Sequence, residues 1–209
     1  MSATSTSPVG VADRYTAVAI FLHWVVALGI LALIVIGLVM TQLTLPPMRL
    51  FQLYQLHKSI GITVLLAGVL RLAWRLTHRP PPLPAAMPAV ERHAAAGSHV
   101  LLYVFLFGLP LTGWALVSAS VFNIPTVLYG TIPWPDLPVF PDLANKAPVE
   151  AFLKHVHAYG AWCLIALLVL HIGASLRHHF VVGDSVLTRM LPRIPGRRPA
   201  HIRNDRTST

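Results

Sequence analysis

Charge is scarce in this chain. Of its 209 residues, 11% are Asp, Glu, Lys or Arg, against about 25% in ordinary soluble domains, and only seven are acidic. With 55% hydrophobic residues and a mean hydropathy of +0.65, the composition points to a bilayer rather than to a soluble domain. Cysteine is scarcer still. Cys163 stands alone, which excludes an intrachain disulfide and reads as a small buried apolar residue. Carboxylates are missing from the interior of every long apolar stretch, with Asp13, Glu91, Glu150 and Asp184 falling at the ends. A proton pathway would usually place acids inside the spans, so a histidine-containing transporter is disfavoured. No internal repeat is evident.

What is present is four long apolar stretches, roughly 16–40, 54–76, 93–119 and 151–179. Each meets the requirement of about 20 residues for a helix crossing the hydrocarbon. Backbone polar groups in lipid must be satisfied internally, so these are helices rather than strands. The first is too long, with the wrong flanks, for a cleaved signal peptide. The expected fold is an all-α membrane protein, a four-transmembrane-helix bundle. Its division is 1–14 as an N-terminal tail, 15–193 as the bundle and 194–209 as a basic tail, with the first seven and last ten or so residues disordered.

Basic residues are uneven. Arg14, Arg71, Arg75, Arg79, Arg92, Arg177, Arg189, Arg193, Arg197, Arg198, Arg203 and Arg206 fall on one side. Arg49, Lys58, Lys146 and Lys154 fall on the other, with Asp136, Asp142 and Glu150. The positive-inside rule puts both termini in the cytoplasm of a multi-pass membrane protein. The net charge of +9 then reflects topology and attraction to anionic lipid, not nucleic-acid binding. The second connection, Arg79 to Pro88, is Pro-rich, stiff and extended. The third, about 121–148, carries six prolines with Tyr129, Trp134 and Phe140. It is expected to lie across the periplasmic mouth.

Histidine carries the chemistry. His157 and His171 lie fourteen residues apart, close to four helical turns, so they share a face about 21 Å apart along the axis. His23 enters the first stretch from the Arg14 flank, at the depth of His171; His57 opens the second, at the depth of His157. Two transverse pairs, His23 with His171 and His57 with His157, match two haems, each with both axial positions filled by imidazole. Such iron suits electron transfer rather than oxygen chemistry. With no Cys-x-x-Cys-His motif the haem would be noncovalent. Gly61, Gly160 and Gly173 near these histidines leave room for a flat porphyrin or, equally, permit close helix packing. Arg71 and Arg75 inside, and Arg49, Lys58 and Lys154 outside, are candidates for the propionates. His99 and His178 are candidates for a quinone, by hydrogen bonding or proton transfer. His155, His179, His78, His93 and His201 are expected at the interface or in solvent, with His155 the one that could serve the outer haem's edge.

These residues together resemble the bacterial cytochrome b561 family of dihaem membrane proteins, over about Tyr15 to Arg193. The carriers are Leu22-His23-Trp24, Leu56-His57-Lys58-Ser59-Ile60-Gly61 followed by Arg71 and Arg75, and His99-Val100-Leu101-Leu102-Tyr103. Further along come Leu109-Pro110-Leu111-Thr112-Gly113, His155-Val156-His157, His171, Arg177-His178-His179-Phe180, Asp184 and Leu191-Pro192-Arg193. The resemblance implies two b-type haems on His23, His57, His157 and His171, and electron exchange with the quinone pool, ubiquinone being the expected acceptor. Some members look like superoxide oxidases, in which periplasmic superoxide reduces quinone. The wider family is similar to cytochrome b subunits that anchor hydrogenases and dehydrogenases, so a subunit docking a periplasmic redox protein is the alternative. The oligomeric state is left open.

Overall fold

Four apolar stretches with no means of satisfying their backbone except internally fold as four long helices. In this computed structural model, which describes residues 14–84 and 86–192, α1 is Ala17–Gln42, α2 Pro47–Thr77, α3 Ala89–Ser118 and α4 Lys146–Arg177. Each is long and apolar enough to cross a membrane. The bundle is the expected one, but α2 and α4 begin earlier than the apolar runs do. Pro47 stands in the first turn of α2, where the missing N–H has no helical partner to lose and the fixed φ suits the helix. The basic tail residues Arg193, Arg197, Arg198, His201, Arg203 and Arg206, and residues 1–13, lie outside the described residues.

Sequence neighbours pack most closely, α1 against α2 and α3 against α4, with α2 joining the two halves through α3. The apolar core joins α1, α2 and α3: Val26, Val64, Ala67 and Leu106, flanked by Val25, Ile30, Leu33, Ile60 and Tyr103. Gly29 lets α1 and α2 approach so closely that a Cβ there would lie 2.5 Å from Val64 Cγ2. Outward faces remain apolar, with Phe21, Leu28, Leu70, Val104, Val169 and Leu170 all exposed, as a lipid-facing surface requires. Cys163 joins that surface: it is exposed, not buried as expected. A small apolar side chain in a span is equally at home facing lipid.

The long third connection is a folded element rather than a strap. Strands β1 (Thr126–Leu128) and β2 (Ile132–Trp134) pair antiparallel, turning through Tyr129 and Gly130 with φ of 52° and 73°. Two buried serines fasten it. Ser59 Oγ donates to Gln55 O (2.7 Å) and accepts from Tyr129 N–H (2.9 Å). Ser118 Oγ donates to Trp114 O (2.8 Å) and accepts from Leu137 N–H (2.9 Å). Trp114 Nε1 donates to Pro135 O at 2.9 Å, and Glu150 at the start of α4 accepts from Val121 N–H at 2.8 Å. The element is therefore tied to α2, α3 and α4, at what is here called the hairpin end.

At the opposite end, Arg14 donates to Leu191 O (2.7 Å) and Trp24 Nε1 to Met190 O (2.8 Å). The chain after α4 thus folds back beneath α1. It first passes through a π turn, His178–Val182, closed by Gly183 at φ 74°. This is the termini end.

Candidate functional site

The fold brings the predicted histidines into two groups, one toward each end. All of them are half-buried inside the bundle. Toward the hairpin end, His57 of α2 faces His157 of α4, with ring centroids 6.3 Å apart and planes at 73°. His57 Nδ1 is buried and has no hydrogen-bond partner among the described residues. Beside each ring runs a glycine of another helix. A Cβ on Gly37 of α1 would stand 3.6 Å from His57 Cε1, and one on Gly113 of α3 would stand 3.1 Å from His157 Cε1. His157 Nδ1 lies 3.1 Å from Thr112 Oγ1.

Toward the termini end, His171 of α4 faces His99 of α3, with centroids 5.9 Å apart and planes at 64°. His23 of α1 belongs to the same cluster, within the fields of Arg71, His171 and His99, its ring edge-on to Trp24 at 5.5 Å. Arg71 donates to Ala19 O at 3.3 Å, and the Arg75 guanidinium lies 5.7 Å from the Tyr103 ring centroid. These arginines line a cleft with Arg14, Tyr15, Trp74 and His78.

The remaining candidates divide. His178 is engaged by two carboxylates: Asp184 Oδ2 lies 2.7 Å from Nδ1, and Glu91 Oε2 lies 3.6 Å from Nε2. Arg177 pairs with Glu91 at 3.1 Å. Lys58 donates to Pro125 O of the hairpin connection (3.3 Å), and Arg49 to Gln52 of its own helix (3.4 Å). Lys154 and His155 lie together on an open groove of α4 with Tyr159 and Trp162. Beside the glycines the two readings of small residues separate. Gly61 and Gly173 face open space, with nothing described within 4 Å of an added Cβ, whereas Gly160 is packed against Leu109. Outside the spans, burial alone would raise the Asp184 carboxyl. The Val186 N–H and His178 outweigh it and hold the carboxyl below the ordinary carboxylate range.

Among the described residues no group of three or more His, Cys, Asp or Glu could hold a bare metal ion. A haem asks for less, since its porphyrin supplies four ligands and the protein two. A metal–imidazole bond of about 2.0–2.1 Å, with the ring centroid roughly another 1.1 Å beyond, puts two imidazoles on opposite sides of one metal about 6 Å apart. The His57–His157 separation, the unpartnered His57 nitrogen and the glycines beside the rings fit that requirement. At the termini end the ring pair at a comparable separation is His99 with His171 (5.9 Å), with His23 in the same cluster and Arg71 and Arg75 as cations for propionates.

The pattern of these helices matches the model of the family described as prokaryotic cytochrome b561 over residues 14–193. The chain belongs to the prokaryotic cytochrome b561 family. Membership implies b-type haem and electron transfer in a membrane. Cytochrome b561 homolog 2 of Escherichia coli (strain K12) is 33% identical over 180 residues, 86% of this chain and 92% of the relative. Cytochrome b561 homolog 1 of the same organism is 26% identical over 192 residues, 87% and 98% of the two chains. The protein named probable superoxide oxidase CybB of Yersinia pestis is 29% identical over 187 residues, 88% and 98%.

Titratable residues and their spacing point to the histidines but not to their neighbours. Gly37, Gly113 and Thr112 stand beside the rings only because α1 and α3 pack there. Thr112-Gly113 was legible as part of a motif, yet nothing in one helix's periodicity says which face another helix's histidine will touch.

Proposed function

We propose that this chain moves electrons across the bacterial inner membrane through two b-type haems, between a one-electron donor on the hairpin side and membrane quinone. His57 with His157 would hold one haem and His23 with His171 the other, with Arg71 and Arg75 serving the propionates of the second. When bound, haem supplies a one-electron couple; the protein's part is to hold, orient and shield it. The reading treats residues 15–193 as one unit and 194–209 as a basic tail, with both termini in the cytoplasm. The observation that carries it is the facing of His57 and His157 at 6.3 Å, with one ring nitrogen buried and unpartnered. From α3, Thr112 Oγ1 contacts His157 Nδ1 at 3.1 Å. The donor we favour is superoxide, on the likeness to the relative named for that activity. Two superoxide anions would each lose one electron to become dioxygen, and one quinone would take both electrons and two protons to become quinol.

A second reading is an anchor subunit that receives electrons from a periplasmic redox protein. It draws support from the hairpin element, whose Phe122, Ile132 and Val139 are exposed at 76%, 56% and 73%. The test is a reduced-minus-oxidised spectrum with haem quantified per chain, followed by quinone reduction by superoxide in the purified protein. About two low-spin b-type haems per chain and direct quinone reduction support the first reading. Two haems without direct activity favour the second. A folded protein without haem removes both.

A further inference from the structure

We propose that Thr112 is a positioning residue for His157, its hydroxyl oxygen accepting the imidazole Nδ1–H so that the Nε2 lone pair is left for iron. The inference rests on the reading of His157 as a haem ligand and goes beyond it. A threonine hydroxyl carries one proton. Thr112 Oγ1 lies 2.9 Å from the Leu109 carbonyl oxygen, which can only accept, and this contact takes that proton. Toward His157 Nδ1, 3.1 Å away, the same oxygen can then act only as an acceptor. Thr112 therefore requires a protonated Nδ1, which fixes the tautomer.

Gly113 supplies the second constraint. The ring runs so close to α3 that an added Cβ would sit 3.1 Å from Cε1, so any larger residue at 113 would press on the imidazole. His57, facing it, has no such partner on Nδ1. The two rings are therefore inequivalent, and His157 is the more basic ligand, as an accepting partner on the distal ring nitrogen makes it. A more basic ligand favours ferric over ferrous iron, so loss of the hydroxyl should raise the potential of this haem alone.

The experiment is an equilibrium redox titration of the purified haem-loaded protein, followed by visible absorbance with haem quantified per chain. It compares the wild type with Thr112→Val, Thr112→Ala, Thr112→Ser and His157→Ala. The Val variant should keep both haems and weaken the ferric preference of one by about tenfold, an upward shift of about 59 mV for one electron. The other potential should stay put, and Ser should restore the wild-type value. Should the Val variant be isolated without that haem, Ala carries the same expectation with no added bulk. Unchanged potentials in the hydroxyl-free variants, equal shifts of both haems, or a Ser variant that behaves like Val would overturn the proposal. If His157→Ala retains both haems, the ligand reading itself has failed, a result distinct from any of those.

Discussion

The two histidine groups are built from the same residue type but in opposite surroundings. At the hairpin end, the charge-bearing neighbour felt by His57 is its facing partner His157, and the walls are glycine and a threonine. At the termini end, Arg71 reaches His23, His99 and His171 with its field, and Arg75 reaches His99. A nearby cation favours the form of a redox centre that carries the extra electron, because Coulomb attraction is strong where water is scarce. On the proposed reading, electrons are drawn from the end whose histidines face no arginine toward the cationic one. With haem at both groups, the contrast would give electron transfer a direction that four equivalent imidazoles would not.

The largest effects should come from the rings themselves. His57→Ala and His157→Ala should each reduce haem from about two per chain toward one, and His23→Ala should remove the other haem. His99→Ala is the discriminating variant, because His99 and not His23 faces His171 at 5.9 Å. If His23 is the ligand, His99→Ala keeps both haems; if haem falls in His99→Ala and survives in His23→Ala, the termini-end pairing must be reassigned. Haem quantification on purified protein decides it.

Glycines sharpen the comparison at the next level. Gly29→Ala forces a Cβ to 2.5 Å from Val64 Cγ2, an overpacking that typically costs about 1–3 kcal/mol, and should lower thermal stability without selecting between haems. Gly113→Ala presses on His157 Cε1 at 3.1 Å and should instead disturb the hairpin-end haem, seen as reduced occupancy or a displaced potential for that haem only. Equal effects of Gly113→Ala on both haems would mean that it acts through packing, like Gly29.

Arg71→Leu should act at the other end. Removing a cation should lower the potential of the termini-end haem by an amount on the order of tens of millivolts. The hairpin-end haem should be unmoved. A redox titration in which both potentials fall together would erase the electrostatic distinction between the ends.

How much of this was legible beforehand follows from which signals are local. Hydrophobic runs are local, so the four spans were readable to within a turn or two. Their starts at Pro47 and Lys146 were missed because Arg49 and Gln52 in one, and Lys146 and Glu150 in the other, interrupt the apolar run. Histidine depth is set by rise per residue, so His57 with His157 was readable as a pair. His99 was readable as a residue but not as the neighbour of His171, because depth does not specify rotation about a helix axis. The hairpin Thr126–Trp134 was hidden by its prolines, and its anchors Ser59 and Ser118 look like any small residues in a span. Cys163 was placed in the right helix and on the wrong face, since an apolar environment can be protein or lipid.

The smallest effect belongs to the termini end's outer rim. Asp184 accepts from Val186 N–H at 2.9 Å and from His178 at 2.7 Å, and its carboxyl is held below the ordinary value. A depressed carboxylate contributes stability that is fully present above the unfolded-state value, about 3.9, and is lost as pH falls through the lower folded-state value. Acidification below about pH 4 should therefore loosen the segment after Gly183 before it disturbs the hairpin end. Asp184→Asn should mimic that at neutral pH. Hydrogen exchange of residues 183–192 is the readout, with Trp24 fluorescence as a second, since its indole donates to Met190 O in that segment. Protection in Asp184→Asn identical to wild type, with an unchanged Trp24 signal, would show that the Arg14 and Trp24 contacts hold the segment unaided. The rim would then be fastened to α1 rather than to the His178 network.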